Sequence, residues 1–287
     1  MTFEFQQVEY DAHYQQFAVP FLIEGNAENN CYFVNQAKEN HVYAVNDALQ
    51  GLLHDALSLL ARVKFTKDAD HFFRYGVMRR LRMVMSAFRS FQSVIMPDRT
   101  VPLAQDQSDN VCRDLNAIYI NILGVLDNYA WVTVHQAGRD STKCAKPMSI
   151  GLFKPAIADD PGLKPIIDSL ASFSAWEQDV KTRRNPAAHR MPLYVPPAAF
   201  TPEDIGEFER YELLMSDAVR KGELDKLSDL RESSRRIGRL VPLFLHDPGE
   251  KVMEIYPTLP QDIGQMVKIG RLVQDFLRSH GPAIDAV

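Results

Sequence analysis

The 287-residue chain is poor in cysteine, in long apolar runs and in net positive charge. Its three cysteines, Cys31, Cys112 and Cys144, lie far apart, and none belongs to a Cys-x-x-Cys pair. This spacing favours neither a zinc site nor a disulfide framework, and it is typical of a protein from a reducing cytoplasm. We therefore expect a cytoplasmic location, no metal site and no cofactor.

The absence of long apolar runs bears on the membrane. No stretch of about 18 consecutive apolar residues occurs, so we expect no membrane span. The opening segment MTFEFQQVEYDAHYQQF lacks the basic start and the apolar core of a signal peptide. The net charge of −5 and the pI of about 5.9 exclude an overall basic field. An enzyme that meets RNA at a local basic patch is still compatible with this charge.

Apolar residues recur at helical spacing along most of the chain, which predicts an all-α protein. A first long helix is expected to begin near Ala27, and a second, over 68–96, is expected to begin at Asp68 and to stop at Pro97. Ser108 or Asp109 is expected to cap the next helix, which runs to about 137. Further helices are predicted over 163–185, 202–240 (one or two) and 261–280, with a short strand in VMEIYP at 252–257.

The helices are expected to form three parts. Residues 1–100 are predicted to be an N-terminal helical extension packed on the core, beginning with an irregular lead-in over 1–26. Residues 101–240 are predicted to form the helical core, with a long connection over 138–162. Residues 241–287 are predicted to form a C-terminal turn or short strand and a helix.

The long helix beginning near 108 is apolar on most of its circumference, so we expect it to be central and buried. Its polar residues Asp114, Asn121, Asn128 and His135 recur every seven positions, which keeps them on nearly one helix face. Two interpretations are open: a narrow solvated stripe, or a polar seam that faces a second helix. Gly124 lies beside this line and allows a neighbour to approach closely.

Arginines are concentrated on the polar face of the helix predicted over 68–96. This face is either solvated or a surface for a partner or for phosphate. Its members are Arg74, Arg79, Arg80, Arg82 and Arg89.

The segment RRNPAAHRMPLYVPP, residues 183–197, brings together side chains that suit a phosphodiester. Pro186 predicts a new or kinked helix with Asn185 as its N-cap. Arg184 would then lie at the mouth of that helix and His189 on its first turn, so that both reach one anion. The helix N-terminus would add partial positive charge and free N–H donors.

Three further cations, Lys181, Arg183 and Arg190, make this region basic within an acidic protein, so they are candidate substrate-binding residues. A structural interpretation is also open. Arg184 would then bond helix carbonyls or a carboxylate, Asn185 would act only as a cap, and His189 would be a packed core histidine.

The pattern Arg184, Asn185, three residues and His189, after an amphipathic helix in an all-helical chain, resembles the HEPN superfamily. The resemblance covers about residues 108–240 and implies an all-α, HEPN-like helical bundle with additional N- and C-terminal helices. Pro186 within the motif departs from the usual family pattern. Many members of this superfamily are metal-independent ribonucleases that dimerise and bring two motifs into one cleft, whereas others are non-catalytic modules for dimerisation or ligand binding.

The resemblance implies a role for each motif residue. His189 would be the general acid or base for the RNA 2′-hydroxyl or the leaving 5′-oxygen, a task that suits an imidazole. Arg184 would hold the scissile phosphate and stabilise charge in the transition state, and Asn185 would orient the phosphate or the histidine. The product would carry a 2′,3′-cyclic phosphate.

Supporting residues and partners follow from the same resemblance. Asp127, Asn128 and Trp131 on the long helix are expected to support Arg184 or His189, and His135 is a weaker candidate for that role. The expected partners are RNA, a second copy of the chain, and an antitoxin or regulatory protein. The alternative is a non-enzymatic helical module that binds a partner or a nucleotide.

Overall fold

The computed structural model of the protein describes residues 38–138, 150–154, 157, 160–247 and 252–281. Helices dominate these residues, and their named strands form one two-stranded antiparallel sheet, so the predicted all-α class is confirmed. The predicted lead-in, the beginning of the first helix near Ala27 and most of the connection over 138–162 lie outside the described residues.

Two long helical runs form the N-terminal part. A π-helical turn, Glu39–Tyr43, leads into α1, Ala44–Arg62. Helix α2, Lys67–His71, continues through a π-helical segment, Phe72–Met78, into α3, Arg79–Val94. The second run begins one residue before the predicted cap. Thr66 is the N-cap because its hydroxyl accepts a hydrogen bond from the Ala69 N–H, so the predicted cap at Asp68 is wrong.

Helix α4, Gln105–Gln136, is the central element, as predicted. It begins earlier than the predicted caps Ser108 and Asp109, because Gln107 Oε1 accepts a hydrogen bond from the Ala104 N–H at 3.2 Å. By length and composition alone this helix could cross a membrane, but 72% of its most apolar window is buried inside the protein.

The next helices form one run and one hairpin. Helix α5, Lys164–Leu170, passes through a 3₁₀ turn, Ala171–Phe173, into α6, Ser174–His189. Helices α7, Pro202–Lys221, and α8, Leu224–Ser234, form the hairpin.

Local signals set both ends of α7. Thr201 Oγ1 accepts from the Asp204 N–H and Asp204 Oδ2 accepts from the Thr201 N–H, which confirms the cap predicted there. The chain turns between α7 and α8 at Gly222, whose φ of +69° suits glycine.

The C-terminal part closes the fold. Strand β1, Leu243–Phe244, pairs antiparallel with β2, Met253–Glu254. Strand β2 lies within the strand predicted over 252–257. Helix α9, Ile255–His280, then ends at Gly281 as predicted. Helices α3, α6 and α9 pack on α4, and α9 also packs on α1. One buried apolar cluster, from Val42 to Leu277, takes members from all three predicted parts of the chain.

Candidate functional site

The motif residues lie at the end of one uninterrupted helix. Helix α6 continues through Pro186 to His189, and the Arg190 N–H donates to the Pro186 carbonyl at 2.8 Å. The predicted new helix with Asn185 as its N-cap is therefore wrong. The proline ring is tolerated there because its fixed φ is close to the helical value, and its missing N–H removes one hydrogen bond. The motif lies at a helix C-terminus, where the backbone supplies partial negative charge, and not at a positive N-terminus.

Arg184 and His189 nevertheless approach each other. Arg184 Nη1 donates to Asn185 Oδ1 at 3.2 Å and lies 3.5 Å from His189 Nε2. Asn185 and His189 are exposed and Arg184 is partly buried. The buried Nε of Arg184 has no hydrogen-bond partner among the described residues. The long arginine side chain spans the angular separation between positions 184 and 189, so the two functional groups share one solvent-reachable location.

Four cations, Arg184 among them, act electrostatically on the Asp127 carboxyl. Loss of solvation raises the pKa of the Asp127 carboxyl, while the positive charges of Lys154, Arg184, Arg80 and Lys181 act in the opposite direction. Residue Asp127 is exposed, so this carboxylate sits among cations at the protein surface. We call these four cations the cationic cluster. Sequence reasoning missed Lys154, which lies in the connection predicted to be a loop.

The three cations predicted to bind substrate have different environments. Lys181 pairs with Glu177 at 2.6 Å, and Arg190 is exposed. Arg183 is buried, with 4% of its surface exposed, and its Nη2 pairs with Asp262 at 2.9 Å and with Asp179 at 2.7 Å. The prediction that Arg183 binds substrate is therefore wrong, because its guanidinium is held inside the protein by two carboxylates.

The predicted polar line on α4 faces a second helical run, the π segment and α3. Asn121 Oδ1 accepts from Arg80 Nη1 at 3.0 Å, and Arg80 crosses Gly124 so closely that a Cβ there would lie 2.5 Å from Nη1. Asn128 packs over Gly76 in the same interface, and its side-chain amide donates to the Gly124 carbonyl at 2.6 Å. These contacts favour the interpretation as a polar seam between two helices.

Trp131 and His135 belong to the same interface and not to the motif. Their rings stack with that of Phe72, with centroids 5.2 Å apart for Phe72 and Trp131 and 5.4 Å apart for Phe72 and His135. The structure therefore assigns Asn128, Trp131 and His135 to the contact between α4 and Phe72–Met78. The Asp127 carboxyl, by contrast, interacts with the motif, because the positive charge of Arg184 favours its ionised form.

A second polar centre surrounds Asp262 and was missed by sequence reasoning. The Asp262 carboxylate accepts hydrogen bonds from Tyr119 Oη at 2.8 Å, Trp176 Nε1 at 2.9 Å and Arg183 Nη2 at 2.9 Å. Burial raises the pKa of Asp262, and these three donors oppose that shift. In the sequence, Asp262 is an acid in the first turn of the helix predicted over 261–280, a common position for acids, so no local signal marked it as a buried centre.

Beside Asp262 lies a cavity of about 410 Å³. Thr182, Thr258, Gln265 and His246 contribute polar lining, and Trp176 and Met253 contribute apolar lining. His246 Nδ1 lies 3.1 Å from the Met191 carbonyl oxygen, which can only accept, and its buried Nε2 has no hydrogen-bond partner among the described residues. Within the described ranges no group of three or more His, Cys, Asp and Glu side chains is placed to hold a metal ion.

Comparisons with protein-family models, with curated proteins and with solved structures found no match to this chain.

Proposed function

We propose that this protein is a metal-independent endoribonuclease of the HEPN type, with Arg184, Asn185 and His189 as its catalytic residues. The observation that carries this proposal is the 3.5 Å approach of Arg184 Nη1 to His189 Nε2 at the exposed end of α6. An imidazole and a guanidinium at one accessible location can supply the proton transfer and the charge stabilisation that accelerate RNA transesterification.

The reaction breaks one P–O bond and forms another. The 2′-oxygen attacks the adjacent phosphorus, the bond from phosphorus to the 5′-oxygen breaks, and the products are a 2′,3′-cyclic phosphate and a 5′-hydroxyl. His189 either removes the 2′-hydroxyl proton or protonates the leaving 5′-oxygen, and water exchanges the other proton. Histidine suits both tasks because its ordinary pKa lies near neutrality.

Arg184 is suited to hold the phosphate. Its Nη1 donates to Asn185 Oδ1 at 3.2 Å, which restrains the plane of the guanidinium. A guanidinium whose plane is fixed can bind two phosphate oxygens and stabilise the charge that develops in the transition state. The cationic cluster, which includes Arg80, Lys154 and Lys181, adds positive potential that favours a polyanion.

The exposure of His189 favours the ribonuclease over the non-catalytic module. A module in which the motif serves only structure would hold His189 buried and bonded to Asp127 or Asn128. His189 is exposed, and its contact is with Arg184. A cytoplasmic nuclease of this type would also need restraint, so we include a regulatory or antitoxin protein among its proposed partners.

The test is cleavage of RNA in the presence of EDTA by the wild type, His189→Ala and His280→Ala. His280 is an exposed histidine at the end of α9 and serves as the matched control. We expect the wild type and His280→Ala to cleave and His189→Ala to lose activity by about 100-fold or more. Mass spectrometry of the fragments should find 2′,3′-cyclic phosphate ends. A wild type without activity, or His189→Ala as active as the control, would refute the proposal.

A further inference from the structure

Helix α7 carries an exposed stripe that combines apolar and acidic side chains. Its members recur at offsets of 0, 4, 7, 8, 11 and 14 residues, which places them on one side of an α-helix. We call this set the acidic stripe, and its members are Ile205, Glu209, Glu212, Leu213, Ser216 and Val219. Leu213 is 73% exposed and Val219 is 59% exposed.

The α7–α8 hairpin as a whole has few buried residues. In the 20 residues of α7 only Ala218 is buried, and in α8 only Ser234 is buried. Leu224 at the turn is 73% exposed. Isolated apolar residues on a surface are ordinary, but a series of them along one helix face marks an interaction surface.

The hairpin also concentrates negative charge. Residues 202–234 contain ten acidic and five basic side chains, a net charge of −5. The whole chain also has a net charge of −5, so the remainder of the molecule is neutral on balance. A partner for this surface should therefore present positive charge between apolar side chains.

Helix α3 and the turn before it present such a surface. Residues 71–97 contain five arginines and no acidic residue. Exposed side chains recur there at the same offsets of 0, 4, 7, 8, 11 and 14 residues. We call this set the basic stripe, and its members are Tyr75, Arg79, Arg82, Met83, Ser86 and Arg89.

The two stripes correspond in character at five of their six positions, and at the sixth the apolar Val219 corresponds to Arg89. Ile205 and Leu213 correspond to Tyr75 and Met83, which are each 53% exposed. Glu209 and Glu212 correspond to Arg79 and Arg82, and Ser216 corresponds to Ser86. The Arg79 guanidinium lies 4.6 Å from the centroid of the Tyr75 ring, so these two side chains share one face across the junction of the π segment with α3.

We infer that the acidic stripe of one copy docks on the basic stripe of a second copy. Two such contacts, related by a twofold axis, close a dimer in which each copy gives one stripe and receives the other. Packing of the apolar positions holds the helices together, and the pairs between Glu209 or Glu212 and Arg79 or Arg82 select the register. This contact uses neither Arg184 nor His189, so it does not depend on the proposed ribonuclease activity.

The experiment measures the mass of the full chain by sedimentation equilibrium from about 1 to about 200 µM. We expect a dimer in the wild type that weakens as ionic strength rises, because the charges that select the register are screened. Glu209→Arg with Glu212→Arg, and separately Arg79→Glu with Arg82→Glu, should each weaken dimerisation by about tenfold or more. Lys268→Glu, an exposed charge reversal on α9, should leave it unchanged.

Restoring opposite charges within one chain distinguishes this contact from other causes of dimer loss. Each double variant leaves one of its two stripes unchanged. Its substituted stripe has the same sign of charge as the unchanged stripe that it meets on the second copy, so the two surfaces repel each other. A chain that carries all four substitutions restores opposite charges and should dimerise again. Circular dichroism checks that every variant is folded. A wild-type chain that stays monomeric over the whole range overturns the inference, and so does a quadruple variant that stays monomeric while the wild type dimerises.

Discussion

The Arg183 guanidinium lies 2.9 Å from the Asp262 carboxylate, with only 5% and 3% of the two side chains exposed. The two residues are 79 positions apart and join α6 to α9. Tyr119 on α4 donates to the same carboxylate, so one acid connects three helices. The adjacent Arg184 is partly buried and its Nη1 lies beside the exposed His189, so the orientation of α6 decides which arginine is structural.

Replacing Asp262 by asparagine should be strongly destabilising. The substitution leaves Arg183 buried with only Asp179 to neutralise it, and it replaces one of the carboxylate oxygens by an amide donor. We expect a loss of about 3 kcal/mol in the free energy of unfolding, measured by urea denaturation. Asp168→Asn breaks the exposed pair with Lys164 and should cost less than about 1 kcal/mol. Equal effects of the two substitutions would contradict the structural role of Asp262.

Gly76→Ala and Gly206→Ala should change stability in opposite directions. An added Cβ at Gly76 would overlap Asn128, whose own Cβ would lie 3.0 Å away, so we expect a loss of about 1–3 kcal/mol. At Gly206, inside α7, nothing lies within 4 Å, so alanine should stabilise by about 0.5–1 kcal/mol. Thermal or urea unfolding measures both effects. A neutral Gly76→Ala would show that the contact between α4 and Phe72–Met78 is looser than described.

Stability should fall in acid because of His41. Burial lowers the pKa of His41 from 6.5 to about 3, so the folded state holds the imidazole neutral while the unfolded state protonates it. The loss begins as the pH falls below about 6.5 and continues to about 3. Between pH 6 and pH 4.5 it should amount to about 2 kcal/mol.

The matched variant for this effect is His41→Gln, which removes the titrating group. The readout is the difference in pH dependence between wild type and variant, because the substitution also changes packing against Tyr256. Urea denaturation at both pH values should show a smaller loss for the variant. Parallel pH profiles would mean that His41 does not titrate as proposed.

Asp127→Asn should strengthen binding of a polyanion at the cationic cluster. The substitution removes the negative charge among Arg80, Lys154, Lys181 and Arg184. The repulsion between one surface carboxylate and a bound anion close to it costs about 1 kcal/mol. Fluorescence anisotropy with a non-cleavable 2′-deoxy oligonucleotide should report about fivefold tighter binding. Asp106→Asn, at the exposed beginning of α4, is the control and should have no effect. Unchanged affinity in Asp127→Asn would indicate that the anion binds elsewhere.

Sequence patterns identified the residues of the candidate site but did not predict the backbone conformation that carries them. The spacing of Arg184 and His189 predicted two groups that meet at one place, and they lie 3.5 Å apart. The predicted helix break at Pro186 was wrong, because local propensity disfavours proline inside a helix by an amount that tertiary packing can outweigh. The supporting residues Asn128, Trp131 and His135 were assigned to the wrong neighbour, since a heptad line identifies a helix face and not the helix that covers it.

The sequence by itself determined the helical class and several helix ends. Thr201 with Pro202 and Asp204, Gly222 at a positive φ, and Gly281 after α9 act through bonds and torsions within a few residues, so they can be read locally. Only the tertiary structure decided that Arg183 is buried and Arg184 accessible, and that Asp262 joins Tyr119 across 143 positions. The physical reason is that burial and ion pairing depend on which helix faces meet, and residues distant along the chain supply those faces.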